Sequence, residues 1–365
     1  MTEQTIPPQA GLAPTAATLP TDMPLPGTEA GTPETPAAEP PRRRRRRLAV
    51  LAILLLLLGV FALFTGWYLV TRKPVSELPV IPPVVTTPIP SYGYSIYGLD
   101  SPTGVAVNAA GDRLYVTQTS GDKTVKVLDV KGNVVGALVP PAEPATDHTP
   151  VYVAVDPRTQ DVYVSDRVTG KIYVYSPDGE YRSTFDPGKD RAGWSPLGIG
   201  FGSDGTMYVT DLSVPMKVHV FAPDASWVRT IQPTDALNFP NGVWPDAAGD
   251  IYVADSNNGR LRVFGPDGQD LGGVARGARQ GDLGLPRGVV VDDQNRVYVV
   301  DTSGHVVQIY KTLGAGDRTP TYLGSFGTEG ITDGAFEFPN GVAADTHGHI
   351  FVTDVANNRV QVWSY

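Results

Sequence analysis

The sequence predicts an all-β, six-bladed propeller of four-stranded blades, preceded by one transmembrane helix and a disordered amino-terminal tail. Three observations predict it. A proline step followed by an apolar run, Pro-x-Gly in five of six copies, recurs between Pro102 and Pro339 at intervals of 44 to 53 residues. An aromatic-Val-x-Asp step follows about a dozen residues after most of these. Ahead of both, Leu48–Val70 runs for 23 residues without a charge.

Composition narrows the function classes first. A chain of 365 residues with 41% hydrophobic content can bury a sizeable core. It has no cysteine, which excludes a disulfide framework, a zinc ribbon, an iron–sulfur site and a cysteine nucleophile. A net charge of −9 argues against nucleic acid as a partner, because phosphate recognition depends on a basic surface.

Taken in order, residues 1–41 hold five acids, no bases and ten prolines, too little apolar surface to offset the entropy of ordering. The cytoplasmic tail, residues 1–47, ends in six consecutive arginines, Arg42–Arg47. At 1.5 Å per residue Leu48–Val70 reaches about 34 Å, enough to cross a hydrocarbon core of about 30 Å. The long flank ahead of it and the absence of an Ala-x-Ala site favour an uncleaved signal anchor. Six arginines on one side outweigh Arg72 and Lys73 on the other, which places the amino terminus in the cytoplasm and everything after Val70 outside the plasma membrane, with Trp67 and Tyr68 at the outer interface. Residues 71–90 carry six prolines and read as a polyproline stalk.

From Ser91 the chain repeats. The steps are Pro102-Thr-Gly-Val, Pro196-Leu-Gly-Ile, Pro240-Asn-Gly-Val, Pro286-Arg-Gly-Val and Pro339-Asn-Gly-Val, with Pro150-Val-Tyr-Val in the same frame. Apolar residues alternate within each unit between turn signals such as Ser-Pro-Asp-Gly (176–179), so the elements are strands. Four short strands in about 45 residues is the arithmetic of a propeller blade. The sixth unit stops after its third strand, and a segment of fourth-strand character, Ser91–Gly98, stands just before the first unit; Thr321–Gly327 is the fourth strand of the fifth. Closing the ring with Ser91–Gly98 pairs an edge that would otherwise be open, so one ring runs from 91 to 365.

Units such as Phe338-Pro-Asn-Gly-Val…Ile350-Phe-Val-Thr-Asp…Asn-Asn-Arg-Val-Gln-Val-Trp363 resemble NHL repeats. The resemblance covers about 275 residues. It implies a propeller, and a functional range of sensors, scaffolds, RNA binders and a few enzymes. The frame is also similar to that of amidating lyases, which carry zinc-binding His between Pro and Gly. None of the six positions here is His, so that resemblance implies no zinc site. Gluconolactonase-type enzymes are a more distant resemblance. Asp100 with Asn241 or Asn340 matches two of their metal ligands, while the third frame holds Leu197 or Arg287, and a fixed cation disfavours a divalent metal.

Two sets of residues are candidates on their own chemistry. Asp166, Asp211, Asp255, Asp301 and Asp354 recur at five near-equivalent places, the pattern of carboxylates that accept backbone N–H groups and hold blade to loop. The residues between Pro and Gly should face the central mouth: Thr103, Val151, Leu197, Asn241, Arg287 and Asn340. Of these, Thr103, Asn241, Arg287 and Asn340 can bind a carboxylate or carbohydrate hydroxyls. The five histidines fall in different blades and faces and suggest no shared metal, and no P-loop, Gly-x-Ser-x-Gly or His-Glu-x-x-His is present. No cofactor is expected.

The reading is a membrane-anchored extracytoplasmic binding or sensing module that takes a protein or small ligand on the top face, where the inner strands begin. The alternative is a metal-dependent lactonase or lyase at the central mouth, with Asp100, Asn241 and Asn340 as ligands. Pro33-x-x-Pro36 in the tail offers a motif for a cytoplasmic partner.

Overall fold

The computed structural model describes residues 41–71, 88–141 and 147–365. The expected disorder of the tail up to residue 40 and most of the expected stalk lie outside these. The chain forms two compact units, Met1–Val85 and Thr86–Tyr365.

The described part of the first unit is one helix, Pro41–Thr71. It begins earlier than expected, taking the arginine run into its first turns. Proline is well tolerated at a first helical position and arginine is a good helix former. Leu54–Leu58 are all exposed over more than one turn, at 57–68% of their surface. Among the described residues no helix is long and apolar enough to cross a membrane. The membrane crossing expected over Leu48–Val70 is therefore not shown.

The second unit is a ring of six four-stranded antiparallel sheets. The inner strands are Pro102–Val107, Pro150–Val155, Pro196–Phe201, Pro240–Pro245, Pro286–Val291 and Pro339–Ala344. Each packs against the next, and the last against the first. The sixth sheet is completed from the amino-terminal side, where Ser91–Ile96 pairs with Arg359–Ser364 and Ile96 lies opposite Val360. Two fourth strands are shorter than expected. The closing strand ends at Ile96 rather than Gly98, and that of the fifth blade is Tyr322–Phe326. Gly98 and Gly327 have positive φ (80° and 87°), which turns the chain out of the sheet.

The core is six separate layers, one between each pair of neighbouring blades. Tyr115 and Val127 of the first blade, for example, pack on Val153, Val164 and Tyr173 of the second. Phe326 and Val307 of the fifth pack on Ile350 and Trp363 of the sixth. The Pro-x-Gly glycine has a steric reason. A Cβ at Gly198 would lie 1.9 Å from the carbonyl oxygen of Asn241, and one at Gly341 would lie 2.5 Å from that of Thr103. Only glycine lets adjacent inner strands approach this closely.

Candidate functional site

Inner strands begin on one face, here the top, and end on the other. The second strand of each blade returns to the top, so that its last residue pairs with the inner proline: Pro150 with Asp166, Pro240 with Asp255, Pro339 with Asp354. All five aspartates are buried. Each accepts a backbone N–H from the loop entering its own blade. Thr149 donates to Asp166 (2.8 Å), Ser195 to Asp211 (2.8 Å), Asn238 to Asp255 (2.7 Å), Leu285 to Asp301 (2.9 Å) and Glu337 to Asp354 (2.7 Å). In the first blade Gln118 takes this place and accepts from the Asp100 N–H at 2.9 Å.

The carboxylates find varied further partners, on the second oxygen in Asp211, Asp255 and Asp354 and on the shared oxygen in Asp166. His148 Nδ1 meets Asp166 at 3.2 Å, His219 Nε2 meets Asp211 at 3.1 Å, and Arg260 and Arg359 donate Nε to Asp255 and Asp354 at 2.7 and 2.8 Å. Two of the histidines therefore belong to these carboxylates, a pairing not visible from their spacing in the sequence. Burial opposes ionisation of Asp211, but hydrogen bonds from His219, Ser195 and Ser213 outweigh it and hold the carboxyl down at about 2.

Beside these carboxylates stands a second ring that sequence reasoning missed. One hydroxyl from each blade reaches a carbonyl on the next inner strand. Five are at 2.5–3.0 Å: Ser165 to Leu197, Thr210 to Asn241, Ser256 to Pro286, Thr302 to Pro339 and Thr353 to Thr103. Thr117 reaches Val151 at 3.4 Å. The available signal was a Ser or Thr immediately before or after the recurrent Asp or Gln.

The residues between Pro and Gly differ in what they leave open. Thr103 is engaged by Thr117 (3.0 Å), and Leu197 is buried at 6% exposure. Asn241 is buried at 5%, and its backbone carbonyl is used by Thr210. Among the described residues the side-chain amides of Asn241 and Asn340 have no hydrogen-bond partner in the chain. Arg287 lies over the Phe239 ring at 5.2 Å, and its Nε is buried without a partner. Burial and the neighbouring Arg167 both push its pKa below the ordinary arginine value. The structure thus brings an unpaired cation and two open amides to the top of the inner strands.

Asp100, matched to a metal ligand by the distant resemblance, stands in the loop before the first blade against Gly121. Asn241 and Asn340 belong to blades four and six. Among the described residues no three His, Asp or Glu side chains are grouped to hold a metal.

Residues 237–264, 283–310 and 336–363 match the NHL repeat. The propeller carries NHL repeats. These matched segments are the entry loop and first three strands of blades four, five and six. Over 106 residues this chain is 31% identical to E3 ubiquitin-protein ligase TRIM71 of Bos taurus, covering 28% of this chain and 12% of that protein. Over 127 residues it is 31% identical to Protein brain tumor of Drosophila melanogaster, covering 34% and 11%. The chain thus spans about a tenth of the length of these curated relatives. Virginiamycin B lyase from Staphylococcus aureus shares the fold, with a TM-score of 0.52 at 12% identity, covering 76% of this chain and 99% of that one. At that identity the likeness concerns the fold of the NHL propeller and no chemistry.

Proposed function

We propose that the chain is a single-pass, membrane-anchored binding module whose NHL propeller lies outside the cytoplasm and takes a protein partner on its top face. The observation that carries this reading is where the exposed large apolar residues of the loops lie. Tyr97, Val139, Val168, Val214, Ile331 and Phe338, each 53–86% exposed, all belong to connections on the top face. Among the described residues the exposed large apolar groups in connections at the opposite face are Ile89 and the terminal Tyr365, less open at 39% and 42%, and the Tyr365 ring lies under Arg296 at 3.7 Å. Apolar groups around an unpaired cation suit a folded partner that sets a carboxylate on Arg287 and packs hydrocarbon around it.

The membrane anchor rests on the 23-residue uncharged run of Leu48–Val70 and on side chains exposed on all sides of the helix. The arginine imbalance supports the orientation. Protease added to intact spheroplasts is expected to remove the propeller and spare an amino-terminal epitope; loss of the epitope with survival of the propeller would reverse the topology. For the binding face, a photocrosslinking residue at Phe338 is expected to capture a discrete protein in intact cells, and one at Asp178 in a bottom turn is not. Arg287→Glu is expected to abolish the adduct. Equal capture from both faces, insensitive to Arg287, would refute the assignment.

A further inference from the structure

A cavity of about 350 Å³ opens on the bottom face, and all six blades contribute to it. Its wall is the ends of the inner strands: Val107, Val155, Phe201, Trp244, Val291 and Ala344. Tyr152 also lines it, occupying the place that is glycine in the other five blades. A Cβ at Gly242, two blades on, would lie 3.1 Å from the Tyr152 hydroxyl, so this ring reaches past the inner strand of the third blade to that of the fourth. The void is within the range of small-molecule sites, roughly 300–1,000 Å³.

Its electrostatics have one sign. The six turns that follow the inner strands contain nine aspartates and one arginine, Arg158, while Arg113 and Arg296 open the second strands of two blades. Asp246, Asp292, Asp293 and Asp345 line the cavity, and no Lys or Arg does. Asp292 is paired with Arg296 at 2.6 Å, and Asp345 lies 2.8 Å from His349. Asp246 is held by the N–H groups of Ala248 and Asp250 and the Tyr252 hydroxyl, none of them a cation. Asp293, among the described residues, has no partner. Burial and the charge of Asp246 together raise the pKa of Asp250, as expected where carboxylates crowd without cations.

We infer that this cavity binds a small organic cation with an apolar body, such as an ammonium group bearing hydrocarbon substituents. The apolar wall takes the hydrocarbon out of water, the half-buried Trp244 indole supplies a face for the charge, and Asp246 and Asp293 favour the cation and repel anions. This site is at the opposite end of the axis from Arg287 and does not depend on the partner proposed for the top face.

The test uses the full-length protein in zwitterionic nanodiscs, with empty discs as reference, and three probes that each carry a benzyl group on a dimethyl-substituted quaternary centre: benzyltrimethylammonium, 2,2-dimethyl-3-phenylpropan-1-ol and 2,2-dimethyl-3-phenylpropanoate. Calorimetry and saturation-transfer NMR are expected to show saturable one-to-one binding of the ammonium, weaker binding of the alcohol and none of the carboxylate. Trp244→Ala is expected to weaken the ammonium about ten-fold. Asp293→Asn, a change outside any hydrogen-bond network, is expected to weaken it about three-fold, with a smaller effect in high salt. Equal binding of the three probes, or an affinity for the ammonium unmoved by Asp293→Asn and by a folded Trp244→Ala, overturns the inference. Should Trp244→Ala fail to fold, discrimination among the probes and the response to Asp293→Asn decide it.

Discussion

The hydroxyl of Thr353 donates to the carbonyl oxygen of Thr103 at 2.9 Å, across 250 residues of sequence, and the Thr353 hydroxyl oxygen itself accepts the N–H of Gly341 at 2.7 Å. One side chain thus ties the sixth blade to the first and satisfies its own inner strand. Thr210 does the same between blades three and four, accepting from Gly198 at 2.7 Å. Thr353→Val keeps the shape but leaves a buried donor and a buried acceptor unpaired. It is expected to cost about 2–3 kcal/mol in denaturant unfolding, while Thr346→Val on the exposed turn costs less than about 0.5 kcal/mol. Equal effects would show that the bridge adds nothing.

The closing strand makes a second, independent contribution to the ring. Ile96 is 3% exposed in the layer between the sixth and first blades, and Tyr92 meets the edge of Trp363 at 5.8 Å. A chain beginning at Leu99 loses the whole strand and opens the edge of Arg359–Ser364. It is expected to unfold at a markedly lower denaturant midpoint than one beginning at Ser91, or to aggregate, since several kcal/mol of cross-strand contact and a paired edge are removed. Matching midpoints would disprove the closure role.

Asp211 gives the propeller an acid-sensitive element. Its carboxyl is held at about 2 against an ordinary 3.8, because the hydrogen bonds of His219, Ser195 and Ser213 outweigh burial. A depressed carboxylate contributes stability that is present above its unfolded pKa and lost as pH falls through the folded one. The contribution, on the order of 2 kcal/mol, is therefore expected to disappear between about pH 4 and pH 2. Unfolding midpoints measured across that interval should fall more steeply for the native chain than for Asp211→Asn, which gives up the stabilisation at every pH. Identical slopes would place the acid sensitivity elsewhere.

The blade count and closure were legible because the repeat reports backbone geometry. Gly198 and Gly341 are glycine since the next inner strand passes where a Cβ would be, a constraint that leaves a mark in any sequence. The hydroxyl ring left a fainter one, because its donor precedes the carboxylate in Thr353 and follows it in Ser256 and Thr302. The bottom cavity left almost none. Val107, Val155 and Val291 are ordinary strand residues, and whether they meet a neighbour or a void depends on the diameter of the closed ring, which no local pattern encodes. Arg359, buried at 1% with its donors taken by Asp354, Asp333, Tyr97, Thr332 and Ala335, likewise reads in sequence as one more surface cation.

Arg287 separates stability from binding. Its guanidinium is partly desolvated, has a buried nitrogen without a partner and is repelled by Arg167, so in the free protein it opposes folding. Arg287→Met keeps the stem that lies by Phe239 and removes the charge. It is expected to leave the unfolding free energy unchanged or raise it by about 0.5–1.5 kcal/mol, while abolishing the Phe338 crosslink to the partner. Arg287→Lys, which keeps the charge but not the planar fork, is expected to retain part of the crosslink at native-like stability. The opposite pattern, in which Arg287→Met destabilises the propeller by more than about 1 kcal/mol and leaves the crosslink intact, would make this arginine a structural group and remove the cation from the binding face.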